Sequence, residues 1–490
     1  MRKSGILMHI SSLPTPYGIG SMGKCAYEFV DFLCEAGQSY WQILPLSPTG
    51  YGDSPYQSFS TFAGNHYLID LDMLIAEGLL TQEEVDAISW SQDESRVDFG
   101  CLYNNRLDLL HLAFERFTPD DAFNAYILEN ENWLQDYATF MTLKEKHHGK
   151  DWHAWSLSFM MRIPDILENY RSEVADTIRF HYFLQYKFFQ QWKALRTYAN
   201  QRGIRIIGDV PIYVPLDSAD VWSNRDLFQL DGNGNPKAVA GCPPDSFTAD
   251  GQLWGNPLYD WEKMKKNRYA WWIRRLKAAA QMYDVVRLDH FRGFESYWAV
   301  PAGDKTAAGG SWQPGPGIDF IHAIQKALPD LDFIAEDLGY MTPEVRALQE
   351  ESGYPGMKVM QFAFDSRESY NYLPYTYPVN SVCYSGTHDN LTLVQWFDEA
   401  SAEDVNWAKA YLGLHPEEGL VQGMIRGCMA SVSKLCMIQM QDYLELDGSA
   451  RMNFPGTLSG NNWTWRARKG FLTKSLTERI LTITKRYGRL

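Results

Sequence analysis

The sequence predicts an α/β fold, a closed (β/α)8 barrel of the TIM type with long inserted subdomains in its loops. Three observations point there: eight short apolar runs, amphipathic helical stretches ahead of several of them, and runs that are continuous rather than alternating. Continuous runs suit strands buried on both faces of a parallel sheet, and alternation of strand with helix builds such a sheet. A count of eight closes it.

In chain order the expected strands are 5–11, 40–46, 204–210, 284–290, 332–337, 359–364, 382–389 and 450–454. The stretch 174–201 reads as the helix before the third strand. Phe180, Leu184, Phe188 and Trp192 recur every four residues as a core-facing stripe, and Gly203 is a suitable C-cap residue just ahead of Ile204. Two gaps are too long for simple crossovers. Approximately 66–165 reads as a helical insertion and 215–260 as a loop-rich one. No low-complexity linker flanks either, so 1–490 reads as a single barrel domain.

Composition narrows the function classes. The 490 residues carry 45 Lys+Arg against 60 Asp+Glu, a net charge of −15, which argues against a dedicated nucleic-acid binder. Charged residues at 21% and hydrophobic residues at 45% exclude wholesale disorder. No apolar run approaches the ~18 residues that span a bilayer, and the short apolar stretch 5–10 does not make a signal-peptide core. No membrane partner is expected. Seven scattered cysteines without a CxxC pair read as a reduced, cytoplasmic protein. The unusual quantity is aromatic content, with 17 Trp, 28 Tyr and 25 Phe, which a core alone need not demand.

The informative feature is positional. Four expected strands end in acidic residues: Asp209, Asp289, Glu336 with Asp337, and Asp389. Chemistry in such barrels gathers where the C-terminal strand ends converge, and a carboxylate directly after a buried run costs stability unless paired or functional. Each alone reads as a surface acid starting a loop; four at matching positions with basic companions do not. Arg287 and Asp289 are two apart and share a strand face, where the guanidinium favours an ionised carboxylate, as a nucleophile needs. A structural ion pair at the rim is the competing reading. Glu336, after Ile334 and Ala335, is expected in drier surroundings that hold it protonated, as a general acid needs. Two such carboxylates are the equipment of glycoside cleavage. His290 and His388 flank these acids as donors for sugar hydroxyls, Asp389 is placed to grip a ring, and Asp209 either shapes the site or binds in it.

Other signals are weaker. Asp231, Asn233 and Asn235 resemble the start of a calcium loop, but Pro236 and Cys242 break the pattern. His147, His148 and His153 fit no metal spacing. The segment 309–317 lacks the order of a phosphate loop and reads as a turn-rich lid candidate. No metal site is expected, and no cofactor.

Several segments carry a resemblance. They are Ser12-Leu-Pro14 with Gly18-Ile-Gly20, Gly50-Tyr-Gly-Asp-Ser-Pro-Tyr-Gln57, Gly208-Asp-Val-Pro-Ile-Tyr213, Pro243-Pro-Asp245, Trp254-Gly-Asn-Pro-Leu-Tyr259, Arg287-Leu-Asp-His-Phe-Arg-Gly293, Ala335-Glu-Asp-Leu-Gly339, Gly386-Thr-His-Asp-Asn390 and Arg451-Met-Asn453. In this order, almost end to end, the chain resembles the 4-alpha-glucanotransferases of the amylomaltase, or disproportionating enzyme, type. The resemblance implies a retaining, cofactor-free transfer of α-1,4-glucan segments from a donor maltooligosaccharide to an acceptor glucose or glucan. It implies Asp289 as nucleophile, Glu336 as acid/base and Asp389 as transition-state stabiliser, supported by Arg287, His290 and His388. Asp209, Tyr56, Ser54 and Asn462 fall at positions of substrate contacts, and Phe247 belongs to a segment that folds over the glucan.

Tyr56, Phe247, Trp254 and Tyr259 are the expected sugar platforms. Ser246 stands where many relatives carry a second aromatic, and Leu391 replaces a common polar residue; both bear on grip and acceptor preference. The alternatives are an alpha-amylase-type hydrolase with the same carboxylates, and a glucan-binding protein without catalysis.

Overall fold

A computed structural model describes residues 2–490 other than 51, 245–248, 340 and 368–371. Among the described residues twelve strands form. They are β1 (Lys3–Leu7), β2 (Tyr40–Gln42), β3 (Arg205–Val210), β4 (Ala238–Cys242), β5 (Gln252–Pro257), β6 (Val285–Leu288), β7 (Ser296–Pro301), β8 (Ser311–Pro314), β9 (Asp332–Ala335), β10 (Gly356–Val359), β11 (Ser381–Tyr384) and β12 (Leu435–Gln439). Eight close a parallel barrel in the order β1-β12-β11-β10-β9-β6-β3-β2, with β2 back against β1. The other four form an antiparallel sheet, β5-β4-β7-β8. The expected fold class is the one observed.

One strand lies elsewhere than expected. The eighth barrel strand is Leu435–Gln439, not 450–454, which instead begins with the end of a 3-10 turn (Gly448–Ala450) and continues as a loop. Leu-Cys-Met-Ile-Gln lacks β-branched residues apart from Ile438 and follows the helix Leu420–Ala430 after four residues, so its pattern merges with that helix. The sixth strand ends at Val359 instead of running through 359–364; Met360–Phe364 turns as a 3-10 helix. The segment 215–260, expected to be loop-rich, supplies β4 and β5, and 309–317, expected as a loop, contains β8. The segment 66–165 holds the helices Leu71–Ala76, Gln82–Asp86, Phe99–Arg116, Asp121–Glu129 and Glu131–Lys146. Asp231 closes a turn by accepting from the backbone N–H of Asn233 at 2.8 Å and of Asn235 at 2.9 Å.

Alternation along each barrel strand divides the apolar residues into two cores. Ile207, Val285, Ile334, Met357, Val382, Tyr384 and Met437 fill the lumen. Their neighbours Ile206, Val286, Phe333, Cys383 and Ile438 face the helices in the larger core. Phe180, Leu184, Phe188 and Trp192 of the helix Ala175–Gln201 are all buried there, each contributing ~1.5–3 kcal/mol. The Trp192 indole N–H also donates to the Met282 carbonyl at 3.0 Å, satisfying its polar edge. Gly203, just past this helix, takes a left-handed φ of 76°, which a residue without Cβ adopts freely.

Gly208 shows how tightly the barrel wall is packed. A Cβ there would lie 2.1 Å from the Tyr283 ring, whose hydroxyl accepts from the Leu46 N–H at 3.3 Å. Gly208→Ala is therefore expected to destabilise the fold by about 1–3 kcal/mol, read as a lower midpoint in denaturant unfolding.

Candidate active site

Register assembles the centre. Asp209 on β3 lies directly opposite Arg287 on β6, and both continue the lumen-facing series of Ile207 and Val285. One guanidinium nitrogen, Nη1, donates to Asp209 Oδ2 at 2.7 Å, to Asp209 Oδ1 at 2.9 Å and to Asp289 Oδ1 at 2.8 Å. Nε reaches Met357 Sδ at 3.4 Å. Burial works against the cation, but the two carboxylates outweigh it and hold Arg287 well above its ordinary range. Asp289 sits one residue beyond β6 and keeps 28% of its side-chain exposure, so its carboxylate is fixed yet reachable.

The chain then turns sharply. His290 is left-handed, with φ 51° and ψ 50°, and its N–H donates to Glu336 Oε2 at 2.7 Å. Leu338 N–H donates to Glu336 Oε1 at 2.8 Å. Glu336 follows β9 with the parity of Ile334, so it too faces the lumen, while its neighbour Asp337 turns away to accept from Met357 N–H at 2.5 Å. Burial pushes Glu336 up to about 7, with Arg287 pulling against it. Burial likewise pushes His290 down to about 4, so its imidazole is neutral, edge-on to Trp254 with ring centroids 4.8 Å apart.

Asp389 comes from the loop after β11. His388 Nε2 stands 3.2 Å from its Oδ2 and Asn453 Nδ2 donates to its Oδ1 at 2.6 Å. Arg451 Nη2 donates to its backbone carbonyl at 2.7 Å. Burial alone would raise this carboxyl, but the His388 imidazolium and the Asn453 hydrogen bond hold it well below the usual range. The Tyr56 ring stacks on His388 at 5.0 Å and 17°, and its hydroxyl donates to Asp209 Oδ2 at 2.7 Å. Arg287, Asp209, Tyr56, His388, Asp389 and Asn453 thus form one continuous chain of contacts.

Arg287, Asp289, His290, Glu336, Tyr56, His388, Asp389 and Asn453 line a cleft of ≈ 3710 Å³, where single-ligand pockets measure roughly 300–1,000 Å³. Asp209, expected as a substrate contact, does not line it and is buried behind them on Arg287 and Tyr56. Ser54 lines it and accepts from Tyr56 N–H at 3.2 Å, and Trp254 lines it from β5. Asn462 lines it as well, but its amide is engaged in the adjacent loop: Oδ1 accepts from Phe454 N–H and Nδ2 donates to the Thr457 carbonyl, both at 3.0 Å. Tyr259 is a correction. It is 1% exposed, its hydroxyl donates to the Ile212 carbonyl at 2.8 Å, and its ring packs against Phe228, Trp271 and Trp272. No face remains for a sugar. Phe247 and Ser246 lie outside the described residues.

Three residues join the site that the sequence reading did not place there. Arg451 and Asn453 fall within an expected strand, and Trp463, left-handed at φ 64°, tilts against both Tyr56 and His388. The segment Arg451-Met-Asn453 was itself the available signal. No helix among the described residues is long and apolar enough to cross a membrane.

A reachable carboxylate and a buried one at the adjoining ends of β6 and β9 are the arrangement of a glycoside-processing barrel enzyme. Comparison sharpens the class. Residues 8–473 match the family described as 4-alpha-glucanotransferase. The 4-alpha-glucanotransferase of Streptococcus pneumoniae is 48% identical over 497 residues, covering 100% of this chain and 98% of that one. That of Clostridium butyricum is 46% identical over 486 residues, covering 98% and 100%. The solved amylomaltase of Streptococcus agalactiae, in complex with acarbose, superimposes with a TM-score of 0.97 at 42% identity over 100% of both chains. The amylomaltase of Corynebacterium glutamicum shares the fold, with a TM-score of 0.80 at 18% identity over 99% of this chain and 75% of that one. The chain belongs to the 4-alpha-glucanotransferase family.

The loop bearing His388 and Asp389 is held from behind by Asp442. This buried carboxyl accepts from Ser385 Oγ at 2.6 Å and from Leu393 N–H at 2.7 Å, one residue on each side of the span 386–392. Gln361 Nε2 donates to the Leu391 carbonyl at 2.8 Å within the same span. Losing such bonds costs about 1–3 kcal/mol of local stability. Asp442→Ala should therefore speed amide exchange across 386–392 by roughly tenfold to a hundredfold. Asp442→Asn keeps an acceptor for the Leu393 N–H and offers Ser385 Oγ a donor in place of an acceptor, so it should exchange closer to the unaltered rate than Asp442→Ala.

Proposed function

We propose that this enzyme moves α-1,4-glucan segments from a donor maltooligosaccharide to the 4-hydroxyl of glucose or another glucan by retaining double displacement. Family membership supports the overall reaction. The observation that carries the assignment of roles is electrostatic. Asp289 touches a buried guanidinium and stays reachable, while Glu336 is held by two backbone N–H groups and is raised to about 7.

Asp289 attacks the anomeric carbon while neutral Glu336 gives its proton to the departing glycosidic oxygen. The C–O bond to the leaving fragment breaks, and a covalent glucosyl–Asp289 ester forms with inversion. Glu336, now a carboxylate, takes the proton from the acceptor 4-hydroxyl, whose oxygen displaces Asp289 with a second inversion. Asp389 is held ionised by His388 and Asn453, and the field it provides stabilises positive charge developing on the ring. Tyr56 and Trp254 offer aromatic faces, and His388 and the neutral His290 offer donors, for the sugars on either side. Seven scattered cysteines without a CxxC pair support a reducing cytoplasmic setting, and the partners are α-1,4-glucans and maltooligosaccharides.

Incubation with maltotriose separates transfer from hydrolysis. Transfer gives glucose plus longer oligosaccharides at constant reducing-end count; a steadily rising count with only shorter sugars favours the amylase-type reading. Asp289→Asn should lose about a thousandfold or more in rate with its unfolding midpoint intact, and retained activity would remove Asp289 from the nucleophile role.

The pH profile follows from Glu336. Its carboxyl must be protonated in the free enzyme, so kcat/KM should fall about tenfold per unit as pH rises above about 7. Glu336→Gln should abolish that alkaline limb along with most of the rate, and a limb that persists in this variant would assign the proton elsewhere.

A further inference from the structure

The cleft does not end at the carboxylates. Tyr56, His388, Asp389 and Asn453 form one connected part of its wall. Glu336 and His290 form another, joined to each other by the His290 N–H, and Arg292 and Trp312 line the cleft as well. Trp312 lies on β8, the outermost strand of the antiparallel sheet, and is 37% exposed.

Pairing sets its surroundings. Leu253 on β5 is opposite Gly241 on β4, Gly241 is opposite Trp298 on β7, and Trp298 is opposite Trp312. Directly opposed residues share a sheet face, so one row crosses the sheet, and its two ends, Leu253 and Trp312, both border the cleft. Trp298 meets Trp312 edge-on, 5.1 Å between centroids at 70°. The Arg292 guanidinium lies 3.9 Å above the Trp312 ring, and Arg292 Nη2 is itself anchored by donation to Ser296 Oγ at 3.0 Å. The indole is thus held in one orientation by a cation and a second indole, while part of it stays open to a sugar-processing cleft. A ring already ordered loses little freedom when an apolar sugar face stacks on it.

Direction decides which sugar. A proton donor to the leaving oxygen stands on the side from which the fragment departs and the acceptor enters, and Trp312 is joined to Glu336 through His290, whose N–H binds Glu336, and Arg292, whose guanidinium covers the Trp312 ring. We infer that Trp312 is a stacking position for the distal units of a long α-1,4-glucan acceptor, raising affinity for oligosaccharide acceptors and leaving glucose unaffected. The inference rests on the transfer reading above.

The test uses maltotriosyl fluoride as donor, with either glucose or maltohexaose as acceptor, on the unaltered chain and on Trp312→Ala and Trp312→Phe. A lost aromatic contact corresponds to roughly a three- to tenfold effect. The apparent KM for maltohexaose should rise by that factor in Trp312→Ala and by less in Trp312→Phe, with the rate on glucose unchanged in both. The glucose rate also reports that each variant is folded. Unchanged kinetics for both acceptors, or equal losses for both, would overturn the inference while leaving the transfer reading in place. An unaltered chain that releases fluoride but extends neither acceptor would overturn the transfer reading, and the inference with it.

Discussion

A single buried guanidinium nitrogen organises this molecule. Arg287 Nη1 meets Asp209 and Asp289 at once, and a cation inside a barrel lumen is tolerable only when carboxylates complete its shell. That requirement fixes three features together. β3 and β6 must pair with Asp209 opposite Arg287, as they do. Asp289 must leave β6 on the lumen side. Tyr56, from a loop far away in sequence, must bring its hydroxyl to Asp209 Oδ2. Through Tyr56 the constraint passes by ring stacking to His388 and so to Asp389.

The same site holds two acids in opposite states, and the cause is their partners rather than their depth. Burial penalises ionisation of both Glu336 and Asp389. At Glu336 burial and the like charge of Asp289 outweigh the pull of Arg287 and of two backbone N–H groups. Asp389 has an imidazole, a side-chain amide and, behind its carbonyl, a guanidinium. One fold thereby raises one carboxyl and lowers another within a single cleft.

Much of this was legible in the residues because the relevant code is local. A lumen-facing residue at a strand end keeps the parity of the apolar residue two positions before it: Ile207 with Asp209, Val285 and Arg287 with Asp289, Ile334 with Glu336. The barrel and its carboxylates therefore followed from short continuous runs ending in acids. The errors arose where the local code is silent. Leu435–Gln439 is a strand because a closed barrel needs an eighth member beside β1, not because Cys and Met favour extended backbone. Tyr259 reads as a platform because it sits in a polar, Gly- and Pro-rich segment. Its inward turn is set by Trp271 and Trp272 on the helix Ala270–Met282, which periodicity within 252–260 cannot reveal. Asn453 lies in a motif segment that the pattern reads as a strand, and its contact with Asp389 from a loop is set by tertiary structure alone.

The two sides of the site are held by different means, and this bears on how a transferase keeps water from finishing its reaction. On the Asp389 side the support is a loop clamped by Asp442 and Gln361. On the Glu336 side it is a sheet. The pairing of β4 with β7 ties the connection after β3 to the connection after β6, so Trp254 and His290 are fixed relative to each other although two helices and a barrel strand lie between them in the chain. An acceptor sugar competes with water only if it is bound in the attacking geometry before the ester hydrolyses. Rigid aromatic surfaces on the side where the acceptor enters lower the entropy lost in that binding, whereas a movable loop there would not. The antiparallel sheet is therefore more than an insertion carried by the barrel: it holds Trp254 in contact with His290, whose N–H in turn binds Glu336.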